Sequence, residues 1–478
     1  MERKATYKHA AESVESIRNR RRHEDNVVRK DKRQQLLNSK RFRRCSAEYP
    51  EISSEQVIEA TKDLQKKGDN RHRSLQTLRR SFAQGSAFID VFLGVDNSLQ
   101  CLVGLLTGSD ADLQLEAAWC LTNIAAGTHD HAMAVTKTAA PYLITYLGSS
   151  NHLLTDQCAW ALGNLAGDSK QIREILQAQG CVLPLVKLIE SPTPDVVQCA
   201  AFALSNLARE SADITREIVK CGVIHPLSLR LKEGTDNHRL VSELAWMLTY
   251  LTASGEHTSE IVSQGCLVQV VEYLHKLSHE PRQDAQAMTP LLRTLGNICS
   301  GPDENTKLAL ENPFLLPVFE KFLVSPHRHI IKETLWVLSN MTSDESVCRS
   351  VAFGPILAHI IERLSDAYDI KVEAAYLLCN LGCHGADICT ELIHKGAMPQ
   401  IALLLKSPDV EMLHLALSFS EMALRQVEAA KFQFEESDGV ARLEGLEYHE
   451  NEMIRQQAHD LLDTYFNIGG EEDEETVM

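Results

Sequence analysis

The side chains with the most chemistry to offer recur as pairs, an aromatic ring followed four positions later by an amide. Trp119/Asn123, Trp160/Asn164, Phe202/Asn206 and Trp336/Asn340 have this form, and Trp246/Tyr250, Arg293/Asn297 and Tyr376/Asn380 are variants of it. On a helix, residues i and i+4 share a face. Asparagine offers both a donor and an acceptor, so a row of them suits the backbone of an extended peptide. Indole rings beside them make slots for the aliphatic stem of Lys or Arg, with a cation–π attraction of ~0.5–2 kcal/mol. Acids at the rim would take the charged heads. Asp168 follows Trp160 by eight residues, and Glu333 and Glu373 precede Trp336 and Tyr376 by three. For one pair alone, a core aromatic beside a helix-stacking amide is the simpler account. Seven pairs in phase favour a binding surface, because a column of buried amides is an expensive way to fill a core.

Such a ladder needs elements that repeat. The second members of the pairs are spaced 41, 42, 44, 47, 43 and 40 residues apart. Gly180, Gly222 and Gly265 keep the same beat as turn signals, with Pro184 and Pro226 four residues after the first two. Between turns the apolar positions are helical: Leu115, Ala118, Trp119, Thr122 and Asn123 fall at i, i+3, i+4, i+7 and i+8. Strand-like alternation is weak. A period of about 42 residues predicts an all-α solenoid with two or three helices per repeat, as in armadillo and HEAT arrays. Counting a degenerate repeat before Ser109 and two weak ones after Ser407 gives about ten, over 70–468. Neighbouring helices lie ~8–10 Å apart, and an extended peptide advances ~6.6 Å every second residue. A peptide crossing the ladder would therefore meet a new aromatic–amide unit every two to three residues.

At 478 residues the chain is too long for one compact core, since single cores stop growing at ~250–300 residues. Charge divides it. Residues 1–44 hold 15 Lys/Arg and six Asp/Glu, a net +9, and the remainder holds 33 against 59, a net −26. The segment 1–69 reads as a basic arm and linker. It has clusters at Arg20, Arg21 and Arg22, at Arg29 and Lys30, at Lys32 and Arg33, and at Lys40 and Arg41, with Leu36, Leu37 and Phe42 between them. The segment 469–478 reads as an acidic disordered tail. An acidic body argues against nucleic acid as a ligand. No run long enough to span a membrane is present, and Met1 to Ala10 carry no apolar core of a secretory leader. The 13 scattered cysteines fit reduced thiols rather than a disulfide framework.

Catalytic and cofactor signatures are missing: there is no G-x-S-x-G, no P-loop and no H-E-x-x-H, so no enzyme activity, cofactor or catalytic residue is expected. Cys379, Cys383, His384 and Cys389 lie close in sequence but lack a paired C-x-x-C unit, and no metal site is expected there. His129, Asp130 and His131 read as a loop after Gly127.

The strings WCLTNIAAGT from Trp119, WALGNLAGD from Trp160, LSNLAR from Leu204, LRTLGNICSGPD from Leu292 and LWVLSNMTSD from Leu335 resemble successive third helices of the importin-α (karyopherin-α) family, in order. Arg18 to Arg44 resembles that family's importin-β-binding domain, and Asp438 to Phe466 is similar to its last repeat. The resemblance implies a right-handed superhelical armadillo solenoid that carries Lys/Arg-rich nuclear localisation signals, shuttles between cytoplasm and nucleus, docks on importin-β through the arm, and meets an export receptor at the last repeat. It places Trp119, Asn123, Gln157, Trp160, Asn164, Asp168 and Asn206 in a larger cargo site. It places Glu243, Arg293, Asn297, Asp303, Glu333, Trp336, Asn340, Glu373 and Asn380 in a smaller one. Tyr250 and Arg293 fall where the family itself breaks its pattern. Phe202 and Tyr376 stand where it has Trp, Ala132 where it has a Thr beside the key lysine, and Ala253 where it has an acid. These departures leave open a regulator or scaffold that binds importin-β with weak or altered cargo recognition.

Overall fold

The structure, a computed structural model, describes residues 52–466 apart from 67, 69, 234, 235, 281–283 and 343. The basic clusters from Arg20 to Arg41 and the acidic segment 469–478 lie outside the described residues. Every regular element among the described residues is a helix. The chain divides into two compact units, Met1–Cys221 and Gly222–Met478.

In the first unit, one long helix of each repeat lies against its counterpart in the next: Arg71–Gln84, Ala111–Ala125, His152–Asp168 and Pro194–Ala208. Shorter helices such as His129–Thr138, Lys170–Ala178 and Val182–Leu188 cover their other side. The starts of the long helices are chemically marked. Asp110 accepts from the backbone N–H groups of Asp112 and Leu113, Asn151 does the same for Leu153 and Leu154, and Pro194 opens its helix where no intrahelical N–H is needed. The long helices are apolar nearly all round. In His152–Asp168 only the first two residues, Trp160 and Asp168 are not buried. Such a helix must be covered on several sides, which is what stacking supplies.

The second unit repeats the plan with His238–Thr252, Ala285–Cys299, Arg328–Met341, Tyr368–Gly382, Val410–Gln426 and Glu452–Tyr465. The glycine turn signals are what the sequence suggested. Gly180 in the first unit and Gly265 in the second adopt φ of 79° and 83°, where a side chain would be strained.

The start of the array differs from the sequence-based boundary at residue 70. Helix Ser54–Gln65 lies within the segment read as arm and linker, and it rests on Arg71–Gln84. A capping box opens it: the Ser53 hydroxyl accepts from the Gln56 N–H, and the Gln56 side chain accepts from the Ser53 N–H. Val57, Ala60, Thr61 and Leu64 are buried on one stripe. The stripe is present in the sequence, but Glu59, Lys62, Asp63, Lys66 and Lys67 lie among its apolar positions, and the stretch reads there as linker.

Candidate functional site: an aromatic–asparagine column

The column exists in each unit, and its asparagines have a structural task first. In the first unit the Nδ2 amides of Asn123, Asn164 and Asn206 donate to the backbone carbonyls of Arg79, Thr122 and Gly163, at 2.9, 3.1 and 2.8 Å. In the second unit Asn297, Asn340 and Asn380 donate to Thr249, Gly296 and Ser339, at 3.0, 3.1 and 3.3 Å. Each amide thus ties its helix to the same register of the preceding long helix. The donor half of the amide, which the sequence reading gave to a peptide backbone, is spent between repeats. The acceptor half is not: the Oδ1 atoms of Asn164 and Asn206 are buried with no partner.

The aromatic rings settle to different depths, and the residue beneath sets the depth. The carbonyl that each asparagine grips belongs to a position that is small in most repeats. Phe202 lies on Gly163, where an added Cβ would come within 2.4 Å of its ring, and is 5% exposed. Trp336 lies on Gly296, where a Cβ would come within 2.0 Å, and is 7% exposed. Trp119 and Trp160 stand higher and are half-buried. The register position that precedes Trp160 is Thr122, and the one that precedes Trp119 is Arg79. The Arg79 guanidinium lies 4.0 Å over the Trp119 ring and bonds Glu116 Oε1 at 3.2 Å. Sequence reasoning missed Arg79. The signal was there: a long cation at a register that is otherwise Thr122, Gly163, Thr249, Gly296 and Ser339.

The remaining first-unit residues come together as follows. Gln157 is buried and donates to Thr122 Oγ1 at 2.7 Å, so it braces the helix pair. Trp160 and Phe202 are in ring contact, centroids 6.2 Å apart and tilted by 52°. Asp168 ends its helix half-buried, and its Oδ2 accepts from His129 Nδ1–H at 2.6 Å. His129 is therefore not mere loop, as the sequence reading had it; it begins helix His129–Thr138 and faces the rim acid of the next repeat. Ala132, one turn on, is fully buried.

In the second unit Trp246 is buried, stacked on Tyr250 with centroids 6.1 Å apart. The Arg293 guanidinium sits 5.4 Å from the Trp246 ring and gives two bonds to Glu333 Oε1, at 2.9 and 2.6 Å. Arg293 and Glu333 are both buried. Glu243, Asn340, Glu373 and Tyr376 are buried too, and the Tyr376 hydroxyl donates to Glu411. Asn297 and Asn380 are half-buried, while Asp303 and Ala253 are exposed. The site residues of this unit are brought onto one column, but most lie in its wall.

The cysteine–histidine group does not converge. Cys379 Sγ–H points to the Leu415 carbonyl, Cys383 to the Met422 sulfur, and the His384 ring to the Thr342 carbonyl. No set of three or more His, Cys, Asp or Glu that could hold a metal occurs among the described residues. Burial pushes the Cys299 thiol up to about 12 and raises Cys120 and Cys158 in the same way, so these are inert core groups; the half-buried Cys379 is raised by burial too.

Stacked helical repeats tied by an asparagine column define an armadillo-repeat protein of the importin-α type. The chain belongs to the TMCO6 family, whose model matches residues 57–467. Importin subunit alpha-9 of Arabidopsis thaliana is 32% identical to it over 392 residues, covering 77% of this chain and 73% of the relative. Importin subunit alpha-2 of Oryza sativa subsp. japonica is 30% identical over 503 residues, covering 94% of each. A crystal structure of an engineered protein shares the fold with a TM-score of 0.76 at 23% identity, covering 85% of this chain and 98% of that one. No single described helix is long and apolar enough to cross a membrane; one pair bent by 97°, Ser86–Leu93 with Ser98–Leu106, passes by length and composition.

Proposed function

We propose that this chain is a nuclear-import adaptor that holds Lys/Arg-rich extended segments on the first-unit column, docks on importin-β through the clusters from Arg20 to Arg41, and shuttles between cytoplasm and nucleus. The observation that carries the reading is the pair of half-exposed indoles, Trp119 and Trp160, in register on an acidic body with Asp168 at the rim. The importin names of its relatives point the same way. An aliphatic stem between indoles and an ammonium near Asp168 is a sound way to hold lysine. We assign an export receptor to the last repeat as part of the same proposal.

A labelled bipartite basic peptide titrated against the full chain tests this. Asp168→Lys should weaken binding several-fold to a hundredfold, since a like charge at a desolvated rim costs ~1–3 kcal/mol. Unchanged affinity would remove Asp168 from the site. A second reading, an importin-β-binding regulator with narrowed cargo choice, is favoured by one group of observations: Phe202 closed onto Trp160, and basic side chains of the chain itself at Trp119 and Asp168.

A further inference from the structure

Two features assigned to a partner's basic side chains are already engaged by basic side chains of this chain. Arg79 reaches up from helix Arg71–Gln84 and lies flat on Trp119, its guanidinium 4.0 Å from the ring centre. Its Nη1 is 3.2 Å from Glu116 Oε1, and the two side chains are 16% and 12% exposed. Glu116 precedes Trp119 by three residues on the same helix face, as Glu333 precedes Trp336. Arg79 thus does to Trp119 and Glu116 what a bound arginine would do: it stacks on the indole and neutralises the acid. Glu116 Oε2 is buried with no hydrogen-bond partner, so a partner's cation reaches this carboxylate only by displacing Arg79. The second contact is His129 Nδ1–H to Asp168 Oδ2 at 2.6 Å, with His129 half exposed at 51% and Asp168 held at 14%. A lysine ammonium arriving at Asp168 must share or take that carboxylate oxygen.

We propose that Arg79 and His129 are internal ligands of the first-unit groove, occupying the Trp119 face and the Asp168 carboxylate, and that they decide which basic segments it accepts. The inference rests on the groove reading of the preceding section and adds a selection rule to it. A segment binds only if its own Lys or Arg outcompetes a tethered one, so isolated basic residues are refused and clustered ones admitted. The column's geometry explains why Arg79 fits there. Gly163 and Gly296 let the ring above sink onto the neighbouring helix, whereas Arg79 props Trp119 up and covers one face of it. An incoming Lys or Arg offers Trp119, Glu116 and Asp168 the same kinds of contact that Arg79 and His129 give, so displacement is an exchange of like for like rather than the loss of a buried pair.

The test titrates the full chain with a labelled peptide bearing two Lys/Arg clusters and with a version in which one cluster is alanine. Arg79→Gln and His129→Ser are compared with Asp168→Ala. If each internal ligand holds its place about 70–90% of the time, removing either raises peptide affinity about three- to tenfold. The double variant should approach the product of the two, since the contacts lie on different helices and share no partner. The single-cluster peptide should gain by the same factor, so that a segment too weak to displace the internal ligands of the full chain becomes measurably bound by the variants. A purely structural role for Arg79 predicts the opposite sign, a lower melting temperature with weaker binding. His129 is exposed enough that its replacement leaves the fold intact, so it decides the matter if Arg79→Gln unfolds. Peptide binding that Asp168→Ala weakens but Arg79→Gln and His129→Ser leave unchanged or reduce would overturn this inference alone. Absence of binding by the chain and by every variant would overturn the groove reading as well.

Discussion

Gly296 has no side chain because Trp336 stands where one would be. A Cβ there would approach the ring's Cζ3 to 2.0 Å and its Cη2 to 2.6 Å. Gly296→Ala gives a small gain in helix propensity and a larger loss in overpacking. The net expectation is destabilisation of ~1–3 kcal/mol, read as a lower urea midpoint at unchanged slope. Gly104, on a helix face with open space around it, is the control: Gly104→Ala should be neutral or stabilising. The pairing of Trp336 with Asn340 was legible in the sequence, since spacing alone puts both on one face. The depth of the ring was not. It depends on a residue 40 positions earlier on another helix, and one sequence carries no label for which small residue lies under which aromatic. That is why the rings divide into raised Trp119 and Trp160 and sunken Phe202 and Trp336, although all four read alike.

Helix Ala285–Cys299 carries a proline in its interior, Pro290, which removes the N–H that would bond the Gln286 carbonyl. The neighbouring helix repairs the loss: Ser242 Oγ–H donates to that carbonyl at 3.1 Å. Ser242→Ala should therefore leave a carbonyl without its donor and cost ~1–3 kcal/mol. In a Pro290→Ala background, where the helix supplies its own N–H, the same change should cost less. A double-mutant cycle by chemical denaturation reads the coupling, and simple additivity would dismiss the repair. The same helix holds Arg293, whose two bonds to Glu333 are buried against helix Arg328–Met341. Glu333→Ala strands a guanidinium and should cost ~3–5 kcal/mol, while Arg293→Leu with Glu333→Leu together should cost far less. The sequence analysis placed both residues in the smaller cargo site, with Glu333 as an acid for a partner's charged head, whereas here the two are bonded to each other. Their meeting across 40 residues was not readable, because a charge pair of complementary sign looks in sequence like two separate binding residues.

At the scale of the whole chain, the open matter is what the basic arm does to the body. The sequence analysis assigns all of 1–69 to arm and linker, but helix Ser54–Gln65 rests on Arg71–Gln84 and belongs to the array. Charged residues on its outer face disguised it, while Ser53, Gln56 and the Val57–Ala60–Leu64 stripe were the true signals. Only nine residues, 45–53, then separate Arg44 from the first described helix, a reach of at most ~30 Å. A short tether raises the effective concentration of the Lys40–Arg44 cluster wherever that reach spans the distance, and abolishes it elsewhere. We expect the cluster to compete with basic peptides, so the chain starting at Ile52 should bind them about ten- to a hundredfold more tightly than the full chain. Saturating the full chain with importin-β should restore the tighter value. The chain starting at Asn70 must not be used for this comparison. It loses the burial of Val57 and Leu64, about 3–6 kcal/mol at ~1.5–3 kcal/mol per side chain, and uncovers apolar side chains of the next helix. Its melting temperature should fall below that of the chain from Ile52, which should match the full chain. Equal peptide affinities for the full chain and the chain from Ile52, at equal melting temperatures, would leave the arm as a carrier handle with no hold on the groove.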